Sequence, residues 1–167
     1  METTRTPSGF TLVETLVAIA ILMIAIVGPY YAVQQAIMAS YIARDQLIAS
    51  SLAQEGAEYI YFVRDSNYLG GDSWLTGLST CQSSYGCTVD PSQNAIAACS
   101  SSGCKPLSLS SSNLYTQNTS YPATRFTRTV KVQTVSSTEV RVNVVVTWNS
   151  EHHAYTVDVQ ETLYNWL

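Results

Sequence analysis

Apolar residues are concentrated in one uninterrupted run near the start of the chain. No charged residue occurs between Thr15 and Val33, and about 19 residues of this kind are enough for a helix to cross the hydrocarbon core of a bilayer. A polar segment, Met1 to Gly9, precedes the run, and one acid, Glu14, lies at its entrance. A carboxylate at the edge of hydrocarbon is costly unless it is paired or lies near the headgroups. We therefore predict a hydrophobic helix over residues 10–33 and treat Glu14 as a candidate functional residue.

An amphipathic helical segment is predicted over residues 34–66. Its apolar positions recur at helical spacing and share one face, which is expected to pack on a sheet; they are Ile37, Tyr41, Ile48, Leu52, Tyr59 and Val63. Gln34 and Asp45 interrupt this face. The interruption predicts that part of the face contacts other subunits.

The dipeptide Gly28-Pro29 lies inside the first of these segments. Proline has no N–H to donate, and its ring clashes with the preceding turn of a helix. The dipeptide therefore predicts a helix break in the form of a kink or a locally opened turn.

Alternating apolar and polar residues dominate the end of the chain, residues 123–167. The alternation runs from Phe126 to Val132, and after a turn at residues 136–138 it continues on the next segment; the apolar positions there are Val140, Val142, Val144, Val146 and Trp148. Tyr155, Val157 and Val159 continue it after a second turn. Period-two alternation of β-branched and aromatic residues indicates antiparallel strands. The predicted fold class is α+β, with the long N-terminal helix packed on a C-terminal antiparallel sheet.

Between the helix and these strands, residues 67–122 are rich in Ser, Thr, Gly, Asn and Cys and are predicted to be a connecting loop region. It holds all the cysteines, in the spacings Cys81-x5-Cys87 and Cys99-x4-Cys104. The spacings suggest two small local disulfide loops, although four cysteines allow three pairings. Zinc is the alternative, but neither spacing is the usual Cys-x2-Cys pair, so no metal is expected.

Composition argues against catalysis and against strong electrostatic binding. Charged residues make up 12% of the chain and the formal net charge is −4, so no direct nucleic-acid contact is expected. We find no nucleophile–base pair, phosphate loop or paired carboxylates, and predict neither enzymatic activity nor a cofactor. His152 and His153 are interpreted as exposed turn residues, and three basic residues are placed on the outer sheet face as a small solubilising patch: Arg125, Lys131 and Arg141.

The residues Ser8-Gly9-Phe10-Thr11-Leu12-Val13-Glu14, followed by the apolar run, resemble the prepilin cleavage and methylation signal of type IV pilins and pseudopilins. That pattern is a short polar leader ending in Gly, then Phe, three residues, Glu and an apolar helix. Residues 52–56 and 64–67 also resemble the helix ends of minor, PilV-like pilins. The resemblance implies the pilin fold and a structural subunit of a type IV pilus.

For individual residues, the resemblance implies cleavage between Gly9 and Phe10 and methylation of the new Phe10 amine by a prepilin peptidase and methyltransferase. It also implies that Glu14 pairs with the Phe10 amine of a neighbouring subunit. The implied partners are other pilin subunits, the assembly machinery and, before assembly, the lipid bilayer. The chain would be a single-pass membrane protein first and part of an extracellular pilus later, with the C-terminal domain outside the cytoplasm.

Physical reasoning supports this interpretation. Gly offers little steric resistance to a protease groove, and an ammonium and a carboxylate that meet in a dry helix bundle set a register. A secretory signal peptide has a shorter apolar core followed by a cleavage site, and a plain anchor would not require the Gly-Phe-x-x-x-Glu entrance. The alternatives kept open are a type II secretion or competence pseudopilin and a membrane-anchored binding domain that never polymerises.

Overall fold

The computed structural model describes residues 9–150 and 153–165, so the predicted leader, residues 1–9, lies outside the described residues except for Gly9. The chain divides into two compact units, residues 1–43 and residues 44–167. One helix, α1 (Leu12–Gly70), is followed by 3-10 helices at Ser79–Gln82 and Pro91–Gln93 and by strands in the following order: β1 (Cys87–Asp90), β2 (Ala95–Ala98), β3 (Ser108–Leu109), β4 (Tyr115–Thr116), β5 (Thr127–Ser136), β6 (Glu139–Ser150) and β7 (His153–Tyr164). The predicted α+β class is confirmed.

The first unit contains the hydrophobic part of α1. The helix is continuous across Gly28 and Pro29, so the predicted opened turn is not present. A residue before proline normally avoids the helical region because its Cβ meets the proline ring, and Gly28 has no Cβ. Proline still removes the hydrogen bond that the Ala25 carbonyl would accept, but in this position the loss does not end the helix.

In the second unit, the C-terminal part of α1 packs on the sheet through the predicted face and through small residues beside it. The buried helix residues include Ala49, Leu52, Ala53, Gly56, Ala57, Tyr59 and Ile60. Of the predicted face, Leu52 and Tyr59 are buried and Ile48 and Val63 are half-buried against the core, whereas Ile37 and Tyr41 belong to the first unit and are exposed. Ala and Gly allow the helix backbone to approach the sheet closely, and the apolar-periodicity argument overlooked them because it followed the large side chains.

The main sheet has five strands in the order β2-β1-β5-β6-β7, all antiparallel. On β6 the predicted alternation is confirmed: the even-numbered residues from Val140 to Trp148 are buried, and their neighbours are not. On β7 the apolar residues face the same side, with Val144 opposite Val159 and Trp148 opposite Tyr155. Phe126, Trp148 and Tyr155 form an aromatic row, with ring centroids of neighbours 5.9 and 5.5 Å apart. This side of the sheet and α1 enclose the hydrophobic core of the unit.

The structure differs from the prediction over residues 67–122. The helix extends to Gly70 and ends where Gly71 adopts a positive φ of 76°. The following segment is not only a loop, because it supplies β1 and β2 to the main sheet and the β3–β4 hairpin beside it. These strands have two to four residues each and are poor in large aliphatic side chains, so they carried almost no alternation signal.

Candidate processing and assembly site

The N-terminus of α1 is capped by the Thr11 side chain, which accepts a hydrogen bond from the Glu14 backbone N–H. The Glu14 backbone N–H donates to Thr11 Oγ1 at 3.3 Å, and the Thr15 N–H donates to the Thr11 carbonyl at 3.2 Å. Thr11 is therefore the N-cap and Glu14 is the third helical residue, the spacing of a capping box. A carboxylate in the first turn also interacts favourably with the helix dipole. Glu14 thus lies in the first turn of α1, where its backbone N–H bonds the N-cap side chain.

Gly9 and Phe10 precede the helix and belong to no regular element. Phe10 is 81% exposed. A Cβ built on Gly9 would meet no atom within 4 Å, and Gly9 is not among the glycines with positive φ. Neither packing nor backbone conformation in this structure requires glycine there.

The helix that follows this segment presents its apolar side chains to the outside. Its most apolar window of 18 residues has a mean hydropathy of 2.4, and none of that window is buried. It is the one helix among residues 9–150 and 153–165 that is long and apolar enough to span a membrane. Exposed large side chains include Leu16, Ile19, Leu22, Ile24 and Ile26. A continuous apolar surface of this size requires lipid or other protein against it.

In a comparison with protein families, residues 5–28 match the model of the prokaryotic N-terminal methylation motif. The match covers the candidate cleavage point, Glu14 and the first part of the apolar helix. Neither the curated proteins nor the solved structures contain a match to this chain. The matched motif and the exposed helix support a prepilin of the type IV pilin type, which is processed by a prepilin peptidase and assembles into filaments. In functional terms, they support a type IV pilin-like or pseudopilin subunit.

The four cysteines form two local disulfides, Cys81–Cys87 and Cys99–Cys104, each with its Cα atoms 4.5 Å apart. The structure thus selects the pairing that the spacing suggested among the three possible. Cys81 and Cys87 are completely buried and join the 3-10 helix to the start of β1. With every sulfur paired, no cysteine is free to bind zinc, and the described residues contain no cluster of three or more potential metal ligands.

A buried arginine that the sequence analysis missed joins the helix to the sheet. Arg128 Nη1 donates to Glu55 Oε2 at 2.6 Å and to the Leu52 carbonyl at 2.9 Å, while Nη2 donates to the Val89 carbonyl at 2.7 Å. The signal was present, because Arg128 alternates in phase with the buried Val130. Among the basic residues of this region, we considered only Arg125, Lys131 and Arg141.

Asp45 is a second buried charge, and its presence in the apolar face is explained by an arginine that reaches it from the segment before β5. Its carboxylate is 1% exposed and accepts from Arg125 Nη1 at 2.7 Å, and Arg44 lies 3.5 Å away. The same contact corrects the proposed basic patch, because Arg125 is paired with Asp45. Lys131 and Arg141 remain on the outer face, opposite Asn143 and Gln133 respectively.

Asp90 at the end of β1 is the centre of a buried polar network. Its carboxylate accepts from the hydroxyls of Ser92 and Thr116 and from the Gln117 N–H, each at 2.6 Å, and from the Ser92 N–H at 3.1 Å. Burial raises the pKa of the Asp90 carboxyl, but these hydrogen bonds outweigh it and leave the pKa below its usual value. The network fastens the β3–β4 hairpin to the main sheet.

The histidines named in the sequence analysis and the two acids of β7 are not brought together within the described residues. His153 is exposed at the start of β7, and His152 lies outside the described residues. Asp158 bonds Asn143 on the outer face of the sheet, whereas Glu161 is opposite Val142 on the inner face. Glu161 lies beside Tyr61, whose hydroxyl has its pKa raised, chiefly by burial and further by this carboxylate.

Proposed function

We propose that this chain is a minor, PilV-like structural subunit of a type IV pilus, assembled through α1 after cleavage between Gly9 and Phe10. The observation that carries the proposal is the methylation-motif match over residues 5–28 at the entrance of a helix whose apolar surface is exposed. In a filament, neighbouring helices would cover that surface and replace the lipid that covers it in the membrane.

The assembly step would use a pair of opposite charges, the Phe10 ammonium and the Glu14 carboxylate, of which the first exists only after cleavage. In the uncut chain the Phe10 nitrogen is a neutral amide; cleavage after Gly9 turns it into an ammonium. The Glu14 carboxylate then has a complementary partner on a neighbouring subunit, and each charge is costly alone in a dry helix bundle. We propose no catalytic activity for this chain; the peptidase and the assembly machinery would supply the chemistry and the motive force.

Two observations support the finer assignment to a minor subunit. The residues that resemble PilV-like pilins contact the domain: Glu55 binds Arg128, and Asn67 Nδ2 donates to the Trp74 and Thr76 carbonyls. In addition, Asp158 and Glu161 lie on opposite faces of β7, and so do not form the paired calcium-binding acids that major secretion pseudopilins carry near the C-terminus.

Mass spectrometry of sheared filaments tests the proposal. We expect the chain in the filament fraction, in low abundance relative to a major pilin, with an N-terminus at methylated Phe10. A chain that keeps residues 1–9 and stays in the membrane as single copies would instead be an anchored binding domain. A processed chain that is absent from surface filaments and found with a secretion or competence complex would be a pseudopilin.

A further inference from the structure

The outer strand β7 leaves part of its backbone without a partner. It is the edge strand of the main sheet, it has 12 residues and, within the described part of the chain, it pairs only with β6. Native edge strands are commonly protected by proline, by charged side chains, above all lysine, by a bulge or by a covering segment. β7 contains no proline or lysine, its charged residues are the acids Asp158 and Glu161, and its pairing with β6 is regular along the whole strand.

The hydrogen bonds show which residues of β7 direct their backbone N–H and C=O groups away from β6. Beyond the strand, the Asn165 N–H donates inward to the Thr138 carbonyl, whereas the Thr162 and Tyr164 carbonyls accept from Tyr61 and Arg64 of α1 on the other side. The N–H and C=O of one residue in an antiparallel strand point to the same side, and the side alternates along the strand. The N–H and C=O groups of the even-numbered residues therefore point away from β6, toward the open edge of the sheet. Two of them are capped by α1, and four are open: Ala154, Thr156, Asp158 and Gln160.

We propose that this open edge is a docking surface for the same edge of a second copy of the chain, paired antiparallel about Val157. This register joins the four open residues and no others, with Ala154 opposite Gln160 and Thr156 opposite Asp158. The proposal does not depend on the filament role, because the surface belongs to residues 44–167 by themselves.

Side-chain chemistry favours self-pairing in this register. On the inner face, Val157 meets Val157 and Tyr155 meets Val159, while His153 meets Glu161. On the outer face, the Thr156 hydroxyl can donate to the Asp158 carboxylate. Cross-strand pairs of these kinds stabilise a sheet, and directly opposed like charges destabilise it.

Two other registers, both shifted toward the C-terminus of β7, are less favourable for pairing. Pairing about Asp158 would place one carboxylate opposite another. Pairing about Val159 would need Thr162, whose carbonyl already accepts from Tyr61 at 3.4 Å. Strand pairing about a two-fold axis is isologous and closes at two copies, whereas helical assembly repeats a heterologous contact. The paired edges would therefore join subunits of two filaments, or two subunits before assembly, rather than neighbours along one filament.

Single cysteines in the full chain, purified in detergent, test the register. In the proposed pairing the two Val157 Cα atoms are about 4.5 Å apart, within disulfide range, whereas the two Val159 Cα atoms are about 13 Å apart along the strands. Val159→Cys is thus a matched control on the same half-buried face of β7. Under mild oxidation we expect about tenfold more disulfide-linked dimer for Val157→Cys than for Val159→Cys.

A second variant tests whether the backbone edge is responsible. Thr156→Pro removes an outward N–H that makes no hydrogen bond within the subunit, and proline is tolerated at such edge positions. In the Val157→Cys background it should abolish cross-linking, whereas Thr156→Ala, which keeps the N–H and loses only the hydroxyl contact with Asp158, should reduce it without abolishing it. If Thr156→Pro does not fold, as judged by near-ultraviolet circular dichroism, Ala154→Pro takes its place. Equal cross-linking at both cysteine positions, none at either, more at Val159, or cross-linking that survives the proline would each overturn the proposal.

Discussion

Arg128 and Glu55 form a salt bridge whose two ends lie in different surroundings. The Arg128 side chain is completely buried, the Glu55 side chain is 42% exposed, and Nη1 lies 2.6 Å from Oε2. The guanidinium also donates to a helix carbonyl and to a β1 carbonyl, so one side chain links α1, β1 and β5. The close approach depends on Gly56, because a Cβ there would lie 3.1 Å from Arg128 Cδ.

We expect the two partners of this bridge to contribute unequally to stability. Glu55→Gln leaves Arg128 with its two carbonyl acceptors and should lower the unfolding free energy by about 1 kcal/mol. Arg128→Ala removes a buried side chain and leaves the Val89 carbonyl unpaired, and should cost about 3 kcal/mol or more. Denaturant unfolding of the full chain in detergent, followed by tryptophan fluorescence, measures both.

Two further variants complete this test. Arg128→Met keeps most of the buried volume and should recover part of the loss, since a hydrophobic replacement of a buried charge can be neutral. Arg125→Ala, which removes a partly exposed arginine bound to Asp45, is a comparison for general charge loss. Equal decreases in unfolding free energy for Glu55→Gln and Arg128→Ala would contradict the expectation that the two partners contribute unequally to stability.

The two disulfides should also differ in their contributions. Each closes a short loop, for which the chain-entropy relation gives roughly 2 kcal/mol. Cys81 and Cys87 are fully buried whereas Cys104 is not, so replacing the first pair by alanine should cost more than replacing the second. Thermal unfolding of the two double variants compares them. With increasing reductant, peptide mapping should show Cys99–Cys104 opening first. The reverse order would mean that exposure does not control access to these bonds.

The stability of the chain should depend on pH through Asp90. Because the folded pKa of Asp90 lies below its ordinary value of about 3.9, the unfolded state binds more protons in this range. Its contribution is therefore present above about pH 4 and is lost as the pH falls through the folded pKa. Asp90→Asn should cost about 1–3 kcal/mol at neutral pH, because an amide cannot accept from all of these donors.

Urea unfolding between about pH 3 and pH 6 checks the sign of this effect. The difference in unfolding free energy between the original chain and Asp90→Asn should shrink as the pH falls. Asp158→Asn, on the exposed outer face, should give a smaller difference. If the difference in unfolding free energy between the original chain and Asp90→Asn increases on acidification, the Asp90 pKa is raised rather than lowered.

Much of the fold was readable from local pattern, and the errors have a common origin. The alternation along β6 and the apolar run of α1 are repeated signals that one stretch of sequence contains in full. The burial of Arg128 and the pairing of Asp45 went undetected because the partners, Glu55 and Arg125, are more than 70 positions away. Strands β1 and β2 were not predicted because four-residue strands such as Ala95–Ala98 show too little alternation to detect.

The candidate site was more readable than the fold around it. Gly9, Phe10 and Glu14 lie within six residues and form a linear motif, so no three-dimensional pairing was needed to see them. The Thr11–Glu14 capping contact was also visible in principle as a Thr-x-x-Glu spacing, but the search for an intersubunit partner left it unnoticed. The disulfide pairing stayed open in the sequence because it is decided by the positions of the 3-10 helix and β1.

Gly9→Val should block processing without disturbing the domain. The Gly9 position has free space around it, so the larger side chain changes no packing in the described structure, and any effect arises where a peptidase binds. We expect the precursor to accumulate with residues 1–9 attached. Intact mass spectrometry of the membrane fraction detects this, with Gly28→Ala, inside α1, as a control glycine substitution. Normal cleavage of Gly9→Val would remove the reason for a small residue at this point.

Glu14 variants separate the charge of this residue from its place in the capping box. Glu14→Ala removes the carboxylate and the side chain at the capping-box position. Glu14→Gln removes the charge and keeps a side chain that suits a capping box. If assembly depends on a charge pair with the Phe10 amine, both variants should be processed normally and both should be lost from sheared filaments by at least about tenfold, because a neutral amide leaves the neighbouring ammonium unpaired. Thr11→Ala weakens the cap by about 1 kcal/mol and leaves the charge in place, so it should still enter filaments. Filaments that contain Glu14→Gln at normal levels but exclude Thr11→Ala would show that the helix cap, and not the carboxylate charge, is what assembly requires.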